Sequence, residues 1–236
     1  RLMDGMPQMN SAGDPAMAER PRAILWVVVS FAASVICATI VLVLLGSGTQ
    51  GTVEALRATA RLSFLLFWPA YAGGLFRRFG FAPFGWLTAR RREFGLGFAS
   101  AHLVHVGLIV WFFHIATHQT LSTKTVLFDG IGIGWVYLLA VLSLDNLRRS
   151  LAPWIWRALC NTGLEYVALV FFSDFLVFPL AHGTAFSLSY FPFPVLLLTA
   201  TCMRWTAGVY GLFRENVRAS NVPSSRLAQR LPGRSL

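Results

Sequence analysis

Four of the chain's five histidines, His102, His105, His114 and His118, fall on one apolar run that opens at the cluster Arg90-Arg91-Arg92. Histidine is disfavoured in hydrocarbon unless it faces a bundle interior, a partner or a metal. His105 and His118 stand 13 residues apart, which is roughly 20 Å along a helix. That separation suits two stacked haems, one in each leaflet, each taking one axial imidazole from this helix. A second helix must then supply the opposite ligand to each iron. Gly95, Gly97, Ala99, Ser100 and Ala101 leave space for a macrocycle at one end of the run. The plainer alternative is that these imidazoles hydrogen-bond across helices.

The elements that must carry these residues are membrane helices. Of the 236 residues, 56% are hydrophobic and 13% charged, about half the charged share of a soluble domain. The expected fold is all-α, an integral membrane bundle of six transmembrane helices. Residues 1–21 read as a disordered segment, 22–213 as the bundle and 214–236 as a basic tail. The spans are expected at Ala23–Leu45, Val53–Phe76, Phe94–His118, Val126–Leu144, Trp156–Ala181 and Tyr190–Phe213. Gly130, Gly132 and Gly134 on the fourth would allow close approach of a neighbour. Cys37, Cys160 and Cys202 all lie in spans and form no metal-type pattern.

The net charge of +10 does not indicate nucleic-acid binding, because the basic residues sit in loops rather than on one face. Sixteen of the twenty Lys and Arg residues lie in the N-terminal segment, the 77–92 and 145–157 loops, or the tail. Positive-inside sorting therefore expects both termini in the cytoplasm, as for a protein of the bacterial inner membrane. His118 and His182 then share the outer depth. Glu165 and Arg204, level in the inner leaflet, are expected to form a neutralising ion pair. Arg61 and Asp174 are level in the outer leaflet. Either they pair as structural glue, or Arg61 meets a haem propionate and Asp174 serves a histidine or a proton path.

Arg91-Arg92-Glu93-Phe94-Gly95-Leu96 with His102 and His105 resembles the third helix of the ferric reductase-like transmembrane family. Arg57-Ala58-Thr59-Ala60-Arg61-Leu62 is similar to the start of that family's second helix. Trp156-Arg157-Ala158-Leu159-Cys160-Asn161 is similar to the start of its fifth. The resemblance implies b-type haem between the third and fifth helices, with His105 as a ligand and His118 at the spacing of two-haem members. It also shows a departure, since Cys160 stands where the family places its first fifth-helix histidine. Ser173 and Asp174 stand where it places the second. His182 is left as the fifth-helix imidazole. A cytoplasmic-side haem would need Cys160, an exogenous ligand, or five-coordinate iron on His105.

The leading expectation is a haem b electron-transfer subunit with no flavin or nicotinamide domain of its own. Its candidate site residues are His105, His118, His182, His102 and Arg61. Electrons would come from quinol or a separate flavoprotein and leave to a protein partner. A haem-free accessory or assembly subunit of a larger membrane complex is the alternative. A proton-coupled transporter using Asp174, Glu165 and the histidines is a third, without the broken-helix or repeat signatures of that class.

Overall fold

Where water is excluded, a chain must satisfy its backbone hydrogen bonds within each segment, and helices do this. The computed structural model describes residues 15–80, 82–116, 122–143, 147, 150–181 and 190–220, and among them it contains helices and no strand. Helix α1 is Pro15–Leu45 and α2 is Thr49–Arg78. A 3-10 turn at Ala82–Phe84 and the short α3, Gly85–Ala89, lead into α4, Arg91–Ile115. Helix α5 is Thr123–Leu142 and α6 is Pro153–Phe172. A π-helical turn at Ser173–Val177 and α7, Phe178–Ala181, continue α6, and α8 is Pro192–Ser220.

Local chemistry sets the starts of two helices. The Ser122 hydroxyl accepts a 3.3 Å bond from the Thr125 N–H and caps α5. Pro153 opens α6 where its missing N–H costs nothing. Four stretches are long and apolar enough to cross a membrane: Arg22–Leu45, Arg91–Ile115, Thr123–Leu142 and Pro153–Val177. The chain is an all-α protein of the integral membrane class.

Helix α2 lies outside that group of four, although it has 30 residues. Packing explains its lower hydropathy. Thr52, Ala55, Thr59, Ser63, Phe64 and Tyr71 on α2 are fully buried, so this helix faces protein around much of its circumference. Small and hydroxyl-bearing residues suit such contacts, because they let backbones approach and can bond back to them. The Thr59 hydroxyl, for example, donates to the Ala55 carbonyl at 2.9 Å. Helix α1 is the opposite case, with Ile24, Leu25, Val43 and Leu44 each at least 60% exposed on a surface suited to lipid.

Helices α1 and α4 are joined by small polar contacts. The Ser34 hydroxyl donates to the Ala101 carbonyl at 3.1 Å, and Ser100 donates to Val27 at 3.0 Å. A Cβ on Gly97 would lie 2.7 Å from the Ser30 hydroxyl, so any larger residue there would force Ser30 to turn away. An aromatic column fills the interior between α2, α4, α6 and α8. Phe67 stacks on Tyr71 at 5.3 Å and meets Phe98 at 5.3 Å and Phe171 at 5.2 Å. Phe64 and Phe175 meet Phe193 at 5.3 and 5.0 Å.

Candidate functional site

His102 and His105 lie on the same face of α4, one turn apart, with ring centroids 5.4 Å apart and rings 21° from parallel. The Thr59 hydroxyl of α2 is 2.9 Å from His105 Nδ1. The same hydroxyl is 2.9 Å from the Ala55 carbonyl and 3.1 Å from that of Leu56, and its role towards His105 depends on the tautomer of the ring. Where Thr59 accepts from Nδ1, the lone pair is on Nε2, the arrangement by which a second residue orients a ligating or proton-accepting imidazole. His102 Nδ1 is buried with no hydrogen-bond partner among the described residues. An unsatisfied buried nitrogen is costly in an apolar bundle, which marks this position as one built for something besides packing.

Both histidines line a cavity of about 90 Å³ between α4, α5 and α6. Asp129 of α5 and Asp174 of the π-helical turn line the same cavity. No arginine or lysine does so among the described residues. Asp174 is exposed, within a stretch otherwise apolar enough to span a membrane. Asp129 had no role in the sequence reading, although a single carboxylate inside an apolar span is a signal in itself.

A second cavity, about 380 Å³, lies nearer the arginine-bearing end and is lined by Cys160, Gly95, Arg91, Arg92 and Arg157. Phe98, Val136 and Val167 line both cavities and form the partition between them. Cys160 and His105 therefore open onto different spaces. Phe98 of α4 touches Phe171 of α6, with centroids 5.9 Å apart.

Bis-ligated haem does not fit the described part of this gap. The aromatic column occupies the slot between α4 and α6, and the space beside the histidines is well under the roughly 300 Å³ of even a small ligand pocket. Among the described residues, the other groups lining this cavity are carboxylates, aliphatic side chains and the Phe98 and Phe171 rings, with no second imidazole or thiolate. No group of three or more metal-ligating side chains forms among the described residues. His118 and His182 lie outside the described residues.

The remaining charged residues divide into one expected contact and one different one. Glu165 and Arg204 form the expected ion pair, with Arg204 Nε 2.7 Å from Glu165 Oε1. Tyr71, which the sequence reading did not single out, donates to Glu165 Oε2 at 2.9 Å and lies 3.1 Å from the Thr201 hydroxyl. The Arg204 guanidinium also stands 4.6 Å over the Tyr71 ring, and its Nη2 donates to Asn161 Oδ1 at 3.4 Å. Arg61 does not pair with Asp174. Its guanidinium lies 4.8 Å over the Tyr190 ring, whereas Asp174 turns to the cavity it shares with Asp129. Depth along the helices was matched for this pair, but they face different neighbours.

No family model matches the chain, and no curated protein and no solved structure matches it either.

Proposed function

We propose that this chain is a haem-free accessory or assembly subunit of a larger complex in the bacterial inner membrane, on a six-helix bundle of ferric reductase-like architecture. The observation that carries this reading is the intramembrane polar notch. Two imidazoles and two carboxylates share one small cavity, and no second axial ligand faces the histidines among the described residues. An exposed carboxylate at Asp174 is unfavourable against lipid. It is accommodated if another polypeptide covers that face and brings a basic or hydrogen-bond-donating side chain. In this reading α2 and α8 also cross the bilayer, α2 being too well shielded by its neighbours to need a lipid-like surface. Both termini are then cytoplasmic, as the arginine distribution requires.

A haem b electron-transfer role, receiving electrons from quinol or a flavoprotein, is the second reading. Its specific support is Arg61, a cation beside Tyr190, just after the stretch that carries His182. One preparation separates the two. The protein is extracted from haem-replete membranes in mild detergent, its reduced-minus-oxidised spectrum is recorded and its native mass is measured. The accessory reading expects no stoichiometric α band and a mass well above the chain's own 26.1 kDa. A stoichiometric b-type spectrum that disappears in His118→Ala or His182→Ala overturns it in favour of the haem reading. A lone monomer without haem removes both.

A further inference from the structure

Gly130 and Gly134 of α5 are exposed, and a Cβ added to either would meet no atom within 4 Å. Glycine weakens a helix, and acyl chains adapt to a side chain of any size, so lipid contact does not call for it at either position. Spaced one helical turn apart, the pair forms a groove of the kind on which membrane helices approach one another closely. Leu127, Ile131 and Leu138, each at least 43% exposed, border it.

The groove runs beside the polar notch. Asp129 and Ile133 line the notch and directly precede the two glycines, which puts the groove about 100° round the helix from them. The notch carries Asp129, Asp174, His102 and His105, with no lysine or arginine among the described residues. Asp174 is exposed on its π-helical turn, a rare geometry often found at functional sites. His102, with its buried and unpartnered Nδ1, lines the same space. That space, about 90 Å³, is too small for a ligand molecule but admits the end of one long side chain.

We infer that Gly130 and Gly134 seat a transmembrane helix of a partner protein, which places one lysine in the notch against Asp129, Asp174 and His102. Charge selects the occupant, since the notch offers carboxylates and no cation of its own. An ammonium is compact and presents three donors, enough for both carboxylates and the His102 Nδ1 lone pair. Its stem lies along apolar surface while the head reaches a polar site, so a helix on the groove can fill a notch to one side of it. The inference rests on the accessory-subunit reading, which supplies the partner.

The test uses the full chain in phosphatidylcholine vesicles and a synthetic transmembrane peptide of about 22 Leu and Ala residues. The peptide carries a Gly-x-x-x-Gly stripe and a single Lys, Leu or Glu roughly 9 Å from one end, the depth of Asp129 in α5. Association is read by energy transfer between labels on peptide and chain. Wild type is expected to take the Lys peptide about tenfold more tightly than the Leu peptide. Asp129→Asn with Asp174→Asn should abolish that preference. Gly130→Leu with Gly134→Leu, which keeps both carboxylates, should weaken binding of the Lys and Leu peptides alike. Melting in detergent at the wild-type temperature confirms that each variant folds. Equal binding of Lys and Leu peptides, a Lys preference that survives the Asn changes, or binding indifferent to the Leu changes overturns the proposal. A Glu peptide that binds as well as the Lys peptide also overturns it. Native mass separates this site from the reading beneath it. A complex above 26.1 kDa that persists in both double variants overturns the docking site and leaves the accessory role standing. A wild-type chain that runs alone removes that role, and the peptides still decide the notch.

Discussion

At the scale of single residues, Glu165 shows how membrane burial turns an ordinary contact into a joint. Its carboxylate takes the Arg204 guanidinium on one oxygen and the Tyr71 hydroxyl on the other, tying α2, α6 and α8 together. The pair is partly open, with side-chain exposures of 15% for Arg204 and 37% for Glu165. Its loss should fall between the ~1 kcal/mol of an exposed pair and the ~3–5 kcal/mol of a fully buried one. Arg204→Ala alone is expected to lower the melting temperature in detergent more than Arg204→Ala with Glu165→Ala, because the single change strands a charge. If the double variant melts lower than either single one, the stranded-charge account fails. At the neighbouring site Thr59→Val should remove the hydroxyl partner of His105 Nδ1. The balance of Nδ1–H and Nε2–H forms should then shift, which nitrogen-15 spectra of the labelled ring would read; an unchanged spectrum would show that Thr59 does not set the tautomer.

At the scale of elements, the contact between α5 and α6 depends on particular glycines rather than on a glycine-rich run. Three glycines on α5 were expected to allow close approach, and one of them does. A Cβ on Gly132 would lie 3.0 Å from Val170, whereas Gly130 and Gly134 face open space. The tighter position is Gly163 on α6, where a Cβ would come within 2.7 Å of the Trp135 ring and 2.8 Å of Leu139. Leu139 can swing away, but an indole ring cannot yield without moving its helix. Gly163→Val should therefore destabilise by about 1–3 kcal/mol through overpacking. Gly130→Ala should be neutral or slightly stabilising through its better helix propensity. Comparable melting temperatures for the two variants would show that the interface is looser than its geometry indicates.

At the scale of the whole molecule, the arrangement in the membrane follows from charge and hydropathy together. The proposed six crossings with the arginines inside would put the turn between α1 and α2 on the outer side. Ser47→Cys, at an exposed position in that turn, in a background lacking the native cysteines, should react with a membrane-impermeant maleimide added to intact cells or right-side-out vesicles. Labelling only after permeabilisation would reverse the orientation. The two cavities lie in sequence along the same three helices, one bearing arginines and the other carboxylates and histidines. Phe98, Val136 and Val167 keep them apart.

The sequence by itself determined the class, most helix positions and the common level of Glu165 and Arg204. Composition requires burial in lipid or protein, helices are the economical way to satisfy the backbone there, and a fixed rise per residue converts sequence number into depth. Glu165 and Arg204 were legible on that basis, being opposite charges at one level. Rotation about each helix axis was not legible, because helix crossing and side-chain packing set which face meets which neighbour. Only the tertiary structure turned Arg61 towards Tyr190 and away from Asp174, and brought Asp129 of α5 to His102 and His105. It also drove Phe98 against Phe171 across the gap where a third-helix histidine would otherwise have faced its partner. Close-packed interiors leave no slack for a flat ligand where aromatic rings have met, and the sequence pattern on α4 carries no record of that contact between Phe98 and Phe171.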